Sequence, residues 1–239
     1  MTKFDVVVEG AGPAGATAAY YLAKQGKSVA LVDRAKFPRE KACGGGLCVH
    51  IEEFDHIVDN WDDFLESKCK RGIVYGPDGL AVDYRQETPF FYNIRRFTFD
   101  NKLVEYAVDA GATLMEGIAV KDFHVTPNEV LTELRDGSTL ESEVIIGAGG
   151  SFDLVARRIR ADEGLPMKWR DEDIATALYF EIEVGREYMD HVYGPERISM
   201  AHIKFQGLDG YGWSFSKDTV LNVGIGCPRS TIRRAKKDN

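Results

Sequence analysis

The chain has 239 residues, of which 44% are hydrophobic and 28% charged, as is typical of a globular protein with a sizeable core. Its formal net charge of −8 argues against a nucleic-acid partner, because proteins that bind a duplex carry a basic face. No apolar run reaches the roughly 18 residues of a membrane-spanning helix, and the N-terminus shows no charged-then-apolar leader. We therefore expect a cytoplasmic protein without a transmembrane segment.

The four cysteines are Cys43, Cys48, Cys69 and Cys227, and no two of them have CxxC spacing. This usage fits free thiols in a reducing compartment and does not predict a zinc site. We expect no metal.

The first elements of the chain predict a dinucleotide-binding βαβ unit. A β-branched run over residues 4–8 predicts a buried parallel strand, and small residues at helical spacing then predict a helix that ends at Gly26. A second strand ends at Asp33. Between the first strand and the helix stands the glycine loop, residues 10–15, with the sequence GAGPAG.

Each glycine of this loop has a predicted role. Gly10 makes a tight turn, Gly12 lets a pyrophosphate approach the backbone, and Gly15 lets the helix pack closely on the strand. The helix N-terminus then offers free N–H groups to the phosphates, while the Asp33 carboxylate accepts ribose hydroxyls. Gly10, Gly12, Ala14, Gly15 and Asp33 are accordingly our first candidate cofactor-binding residues; the alternative is a purely structural turn.

Glu9 is an unusual residue at the end of the first strand, where an apolar or small side chain is expected. A carboxylate there would be partly buried beside a phosphate-binding loop, which is electrostatically unfavourable. We expect Glu9 to weaken cofactor binding.

A second glycine-rich stretch follows, with the sequence KACGGGLC over residues 41–48. Three glycines behind Cys43 predict either a flexible linker or a backbone against which something flat must lie. We call residues 43–46 the glycine segment.

The middle of the chain predicts a β-hairpin over residues 72–95 around the turn GPDG, then an amphipathic helix over 100–110 with Leu103, Ala107 and Ala110 on one face. Strands are predicted over 111–125, 129–136 and 138–147. Beyond residue 160 the sequence predicts four antiparallel strands, which form the candidate substrate sheet. Within the third of these, Tyr211, Trp213 and Phe215 alternate and therefore point to one side. These three residues, here called the aromatic row, suit either an apolar ligand or a buried sheet face.

Four stretches together resemble the geranylgeranyl reductases, a family within the flavoprotein superfamily typified by para-hydroxybenzoate hydroxylase. They are residues 6–47 with K-x-C-G-G-G-L, the segment with Arg96, Phe99, Asp100 and Leu103, the stretch VIIGAGGSFDLVARRI, and GYGWSF at 210–215, which is similar to Y-x-W-x-F-P.

The sequence departs from the family at three points. Gly149 replaces the acid of the second cofactor motif, usually A-D-G-x-x-S, and Ser216 replaces the proline that closes the aromatic signature. The 239 residues also contain no G-D-A-A-G segment and none of the family's C-terminal helical part. The resemblance thus implies a chain that lacks the C-terminal part.

The resemblance implies FAD as cofactor and adds candidate binding residues. It places the glycine segment, with Cys43, Gly44 and Gly46, beside the flavin, and Arg39 near the pyrophosphate. Arg96 is implied near the phosphates or the ring edge, or else is a surface arginine at a helix start. Val120 is implied near the adenine through its backbone, and Gly149 beside the cofactor.

The fold class implied is α/β, with a Rossmann-like FAD-binding domain and a discontinuous antiparallel β-sheet substrate domain. We assign residues 1–72 and 96–160 to the FAD-binding domain and residues 73–95 and 161–239 to the substrate domain. The aromatic row, Tyr211, Trp213 and Phe215, would bind a prenyl chain.

The function implied is reduction of C=C bonds of geranylgeranyl or other prenyl chains in isoprenoid lipid biosynthesis. Hydride comes from reduced FAD, and Cys43, Tyr211 or water supplies the proton. The electron donor is NAD(P)H or a reduced ferredoxin. A lipid substrate also implies peripheral membrane contact, for which the basic residues 229–237 are the candidate.

Two alternative functions stay open. The same fold hosts FAD-dependent aromatic monooxygenases. The missing C-terminal segment, Gly149 and Glu9 favour instead a truncated, non-catalytic nucleotide-binding module.

Overall fold

The structure, a computed structural model, describes residues 1–235. It contains two compact units, each built from two stretches of chain. The first unit comprises Met1–Glu40 and Phe97–Lys168, and the second comprises Lys41–Arg96 and the chain from Trp169 onward. Residues 41–72, which we assigned to the FAD-binding domain, thus group with the second unit. The reason is strand pairing, because two strands of this stretch pair with a strand at residues 91–94.

The first unit is centred on a four-stranded parallel sheet in the order β13-β2-β3-β9. Its strands are β2 (Val6–Glu9), β3 (Val29–Asp33), β9 (Thr113–Glu116) and β13 (Val144–Gly147). Val7 lies opposite Ala30 on one side and Ile145 on the other. The two central strands are almost continuously buried, as the unbroken apolar sequence predicts for parallel strands. The predicted α/β fold class is confirmed.

Three helices belong mainly to this unit: α1 (Pro13–Lys24), α3 (Arg96–Asp109) and α4 (Leu154–Asp162). Helix α1 begins with a proline, whose missing N–H costs nothing in a first turn. Helix α3 begins four residues before the predicted start, and it buries Leu103 and Ala107 as predicted.

A second sheet of the first unit has the order β1-β12-β11-β10. Its strands are β1 (Thr2–Lys3), β10 (Val120–Val125), β11 (Val130–Leu134) and β12 (Thr139–Ser142). The strand predicted over 111–125 is therefore wrong as a single element. Gly117 has a φ of 75°, and the chain leaves the parallel sheet there after β9 and starts the meander with β10. The predicted strand 138–147 likewise divides into β12 and β13.

The second unit contains a six-stranded sheet in the order β14-β17-β16-β15-β6-β7. Its strands are β6 (Arg71–Tyr75), β7 (Ala81–Arg85), β14 (Ala175–Glu183), β15 (Ile198–Ile203), β16 (Tyr211–Ser216) and β17 (Val220–Pro228). The predicted hairpin is β6–β7, closed by a hydrogen bond from the Gly76 N–H to the Leu80 carbonyl. The four late strands pair antiparallel as predicted, but β15 also pairs with β6 in parallel.

A three-stranded sheet completes the second unit, with β4 (Gly46–Cys48), β5 (Leu65–Cys69) and β8 (Phe91–Ile94) in the order β4-β8-β5. Its helices are α2 (Asp55–Val58), α5 (Arg186–Tyr193) and α6 (Arg229–Ala235). The sequence did not predict α5, which buries Met189 completely. Among residues 1–235, no helix combines the length and the apolar character needed to cross a bilayer.

Candidate functional site: a dinucleotide loop and an aromatic row

The glycine loop leaves β2 through a turn that only glycine tolerates at its first position. Gly10 has a φ of 96°, and a Cβ there would lie 2.5 Å from the carbonyl oxygen of Ala148. A Cβ on Gly15 would overlap the carbonyl oxygen of Gly10. The loop therefore has the tight turn and the close helix-to-strand approach that the motif predicted.

Gly12, by contrast, has no backbone atom against the position of its Cβ. It is the N-cap of α1 and has an ordinary φ of −72°. The nearest heavy atom to a Cβ there would be Nη2 of Arg39, at 3.7 Å. The backbone at Gly12 is thus free to receive a group from outside.

Arg39 supplies a cation beside this opening. Its Nη2 lies 3.0 Å from Oδ2 of Asp100, whose side chain is wholly buried. Its Nη1 is also buried and has no hydrogen-bond partner within residues 1–235. An arginine with an unused buried donor, next to a helix N-terminus and a bare glycine, fits a diphosphate.

Asp33 lies at the carboxyl end of β3, as predicted, and holds the loop in place. Its Oδ2 accepts a hydrogen bond from the Ala11 N–H and its Oδ1 accepts one from the Ala35 N–H, both at 2.8 Å. Each carboxylate oxygen retains a lone pair, so Asp33 can still accept from ribose hydroxyls.

A cavity of about 510 Å³ within the first unit brings together four of the predicted residues: Gly10, Asp33, Val120 and Gly149. Its remaining lining residues are Glu9, Val32, Arg34, Ala119, Lys121, Arg135, Phe152, Leu154 and Arg157. We call it the first-unit cavity. Gly12, Ala14, Gly15, Arg39 and Arg96 do not line it. Ala14 is exposed in the first turn of α1, and Arg96 is half-buried as the first residue of α3.

The second cofactor motif, with Gly149 in place of its acid, is organised by a different carboxylate. Asp153 accepts hydrogen bonds from the Gly149 N–H and from the Ala156 N–H, both at 2.6 Å, and so caps α4. A Cβ on Gly149 would lie 3.1 Å from Oδ2 of Asp153 and 3.4 Å from Oε1 of Glu9. The carboxylates of Asp153 and Glu9 thus lie next to Gly149, the position where the motif usually has an acid.

Glu9 has partners that the sequence did not reveal. Its two carboxylate oxygens accept hydrogen bonds from the Leu154 and Val155 N–H groups, both at 3.3 Å, at the start of α4. Burial raises the pKa of Glu9, and the nearby Asp153 raises it further, while the two N–H groups and Arg157 lower it.

Asp153, the N-cap residue of α4, could have been predicted from the sequence, because it directly precedes a helical run.

In the second unit, the glycine segment is held by the protein's own aromatic rings. A Cβ on Gly44 would lie 2.9 Å from the Phe215 ring and 3.0 Å from Nε1 of Trp213. A Cβ on Gly46 would overlap the ring of Phe91. The segment is therefore no loose linker, because flat groups lie against it and Gly46 begins β4.

The aromatic row lies on one side of β16, as the alternation predicted. The ring centroids of Tyr211 and Trp213 are 5.7 Å apart, and those of Trp213 and Phe215 are 6.2 Å apart. Trp213 is only 7% exposed, whereas Tyr211 is 47% exposed at the open end of the row. Gly44 therefore lies against the buried Trp213 and the half-buried Phe215, away from the exposed Tyr211.

A polar network that sequence reasoning missed lies behind the row. The Trp213 indole N–H donates to Oδ1 of Asn222 at 2.7 Å. The Asn222 amide donates to the Cys43 carbonyl at 3.2 Å and to Oε1 of Glu181 at 3.0 Å. Glu181 also accepts from the ammonium of Lys217, which is 1% exposed. The signal was a polar residue in the otherwise apolar run VLNVGIG.

This network sets the charges behind the glycine segment. Burial raises the pKa of Glu181, but hydrogen bonds from Lys217 and Asn222 outweigh it, so the pKa lies below its usual range. Cys43 itself is exposed, and its Sγ accepts a hydrogen bond from the Gly45 N–H at 3.4 Å.

The predicted basic tail is only partly described. Arg229 and Arg233 both pair with Asp171, and Arg234 lies 3.2 Å from Asp209. Lys236 and Lys237 lie outside the described residues. The arginines of α6 are thus already paired with carboxylates of the same unit.

The parallel sheet, the glycine loop and the acid at the end of the second strand define a Rossmann-like dinucleotide-binding flavoprotein fold. Solved structures share it. A geranylgeranyl bacteriochlorophyll reductase-like protein from Thermoplasma acidophilum matches 100% of this chain and 62% of its own, with a TM-score of 0.78 and 23% identity. The halogenase PltM in complex with phloroglucinol and FAD matches 98% of this chain and 55% of its own, with a TM-score of 0.70 and 17% identity.

Sequence comparison adds the family. The profile of the Thi4 family matches residues 1–135, more than half of the chain, so the chain belongs to this family. An uncharacterized protein of Methanosarcina barkeri is 32% identical over 99% of this chain and 57% of its own length. The menaquinone reductase of Mycobacterium tuberculosis is 29% identical over 96% of this chain and 56% of its own length.

These matches confirm the resemblance to the FAD-dependent flavoproteins that include the geranylgeranyl reductase-like proteins. The chain spans a little over half the length of the curated relatives it matches.

Proposed function

We propose that this chain carries the FAD site and the substrate surface of a reductase that saturates C=C bonds in geranylgeranyl or related prenyl chains. The observation that carries the proposal is the aromatic row packed against Gly44, the residue that follows Cys43 in the chain. An aromatic surface suits an apolar alkene better than a polar substrate.

The polar network makes this surface apolar towards a ligand. Because the Trp213 N–H is already bonded to Asn222, Trp213 and Phe215 present ring carbons, and the Tyr211 hydroxyl is the donor of the row. Asn222 also bonds the Cys43 carbonyl, so one side chain positions both the ring and the thiol-bearing residue.

The residues of the first unit would hold the cofactor. Gly12, Arg39 and the first turn of α1 would bind the diphosphate, and Asp33 would accept from the ribose. The chemistry that bound, reduced FAD would supply is hydride transfer to one alkene carbon. The chain itself must then bring a proton to the other carbon, and Cys43 is the first candidate, with Tyr211 and water as the others. NAD(P)H or a reduced ferredoxin would supply the electrons.

The test begins with the purified 239-residue chain, reconstituted with FAD and desalted. Flavin absorption near ~450 nm, at about one flavin per chain, is expected. The protein is then reduced chemically without oxygen and mixed with a geranylgeranyl lipid, and mass spectrometry counts the hydrogens added. Addition of two hydrogens per double bond supports the proposal.

Cys43→Ala and Cys48→Ala provide a matched pair, because both thiols are exposed and lie five residues apart. We expect Cys43→Ala to slow saturation by at least about tenfold, within the range of general acid catalysis. Cys48→Ala should leave the rate unchanged. Equal rates in both variants would remove Cys43 as the proton donor and leave Tyr211 or water.

Two outcomes favour the alternatives. Oxygen consumption with an aromatic substrate would support an aromatic monooxygenase, for which the neighbour bound to phloroglucinol and FAD is the supporting observation. A protein that stays colourless after incubation with FAD would support the non-catalytic module.

Peripheral contact with a lipid bilayer is part of the reductase proposal, because a prenyl lipid would arrive through the bilayer. It would appear as co-sedimentation of the protein with vesicles that contain the lipid.

A further inference from the structure

Glu9 lies in the first unit next to the place where a nucleotide ligand is expected to bind. It ends β2, a central strand of the parallel sheet, and ligands of doubly wound folds bind at the carboxyl ends of such strands. It directly precedes Gly10 and lines the first-unit cavity together with Asp33 and Gly149. The same cavity thus contains the glycine turn, the ribose-binding acid and one further carboxyl group.

The surroundings of Glu9 do not favour its negative charge. The side chain is half-buried, so solvent stabilises the charge only in part. Asp153 caps the adjoining helix with its own carboxylate, and this negative charge acts on Glu9 at short range. Two helix N–H groups at 3.3 Å and the cation of Arg157 act in the opposite direction. Burial and Asp153 outweigh them, because the pKa of Glu9 is raised overall.

The other charged groups around the cavity come from three further parts of the chain. They are Asp33 and Arg34 at the end of β3, Lys121 on β10, and Arg135 after β11. Lys121 is paired with Glu133 at 3.0 Å. The cations attract an anionic nucleotide, whereas Glu9 stands at the glycine loop itself. None of the lining residues, all of which are described, is a histidine.

We infer that Glu9 is a nucleotide-binding residue that takes up one proton from solvent when the nucleotide enters the first-unit cavity. A diphosphate at the glycine loop adds negative charge near a carboxylate that is already poorly solvated. Protonation removes the repulsion and gives Glu9 an O–H that can donate to the ligand. Glu9 is therefore expected to weaken cofactor binding only where it is ionised, so that the affinity for the cofactor depends on pH. This inference rests on the proposed FAD site.

The sign of the effect follows from linkage. If bound nucleotide raises the pKa of Glu9 above its value in the free protein, binding is tightest where Glu9 is protonated in both states. Affinity then falls as the pH rises from the free-state pKa to the bound-state pKa. For one proton the dissociation constant increases by at most about tenfold per pH unit within that window.

The experiment measures the Kd of FAD by quenching of flavin fluorescence between pH 5.5 and 8.5, with the full 239-residue chain. FAD is the suitable probe because both its phosphates are esterified and keep their charge over this range. Wild type, Glu9→Gln and Asp162→Asn are compared. Asp162 is an exposed acid at the end of α4 and is not among the residues lining the cavity, so its removal controls for net charge.

We expect the Kd of wild type and of Asp162→Asn to rise with pH, and that of Glu9→Gln to stay level and lie below the wild-type value at pH 8.5. Calorimetry in two buffers of different ionisation enthalpy should give uptake of up to about one proton for wild type and none for Glu9→Gln. Glu9→Val, which has the apolar type of residue expected at this position, serves as a second variant, and its Kd for FAD should also not change with pH. Circular dichroism confirms that each variant is folded.

The failures can be distinguished. Equal slopes for wild type and Glu9→Gln, or a level wild-type curve, overturn the role of Glu9 and leave the FAD site intact. Failure of both wild type and Glu9→Gln to bind FAD at any pH overturns the FAD site as well.

Discussion

The two glycine-rich stretches of this chain exclude side chains for different reasons. In the glycine loop, backbone atoms take the space, since side chains on Gly10 and Gly15 would meet the carbonyls of Ala148 and Gly10. In the glycine segment, Gly44 and Gly46 are limited by the rings of Phe215, Trp213 and Phe91. The first constraint is rigid, because it comes from backbone atoms; the contact between Gly15 and Gly10 is local, whereas Ala148 lies far along the chain. At Gly44 and Gly46 the second constraint depends on side chains far away in the sequence and can change when those side chains change, whereas a Cβ on Gly45 would overlap the backbone carbonyl oxygen of Ile94.

The largest effect is expected from Gly15→Ala, because no side chain can move to make room for its Cβ. We expect a loss of about 3 kcal/mol in the free energy of unfolding, together with loss of FAD binding. Gly12→Ala is the matched control, since its Cβ would have 3.7 Å of space. It should cost less than about 1 kcal/mol and still weaken FAD binding. Urea unfolding and FAD titration separate the two, and a stable Gly15→Ala would contradict the rigid-backbone explanation.

The next effect should come from Glu181→Gln, which leaves the wholly buried Lys217 ammonium without its carboxylate. Loss of one partner of a buried pair costs about 3 kcal/mol, and the partial exposure of Glu181 reduces our expectation to about 2 kcal/mol. Lys217→Met combined with Glu181→Leu should recover most of it. Urea unfolding of the single and double variants measures the difference, and additive losses would show that the two residues do not interact.

Gly46→Ala should cost somewhat less, about 1–2 kcal/mol, because the Phe91 ring can shift where a backbone carbonyl cannot. Phe91→Leu in the same chain should restore part of the loss, since the smaller side chain vacates the space. No equivalent rescue is expected for Gly15→Ala. A double variant no more stable than Gly46→Ala alone would place the constraint in the backbone after all.

The smallest effect concerns Glu9 and the dependence of stability on pH. Because folding raises the pKa of Glu9, its contribution is fully present below its unfolded-state pKa and is lost as the pH rises through the folded-state pKa. The difference in unfolding free energy between Glu9→Gln and wild type should therefore grow in favour of the variant from about pH 4.5 upward. Thermal unfolding at closely spaced pH values tests this, and a constant difference would contradict it.

The glycine loop shows how much a local pattern can predict. Val6–Glu9, Pro13–Lys24 and Val29–Asp33 form the predicted βαβ unit, with Asp33 at the strand end. The network around Asn222 shows the opposite case. Trp213, Lys217 and Asn222 belong to one hairpin, but Glu181 and the Cys43 carbonyl reach them from distant parts of the chain, so no spacing in the sequence could reveal the whole network.

The sequence by itself determined the class of fold and the place of the dinucleotide loop, because turns, helix starts and buried parallel strands follow from a few neighbouring residues. It also determined that the three residues of the aromatic row lie on the same side of β16, because side chains alternate along any strand. Only the tertiary structure decided that residues 41–72 join the second unit, that rings confine the glycine segment, and that Glu9 lies against the start of α4. These features depend on strand pairing and on burial, which are set by residues far apart in the chain.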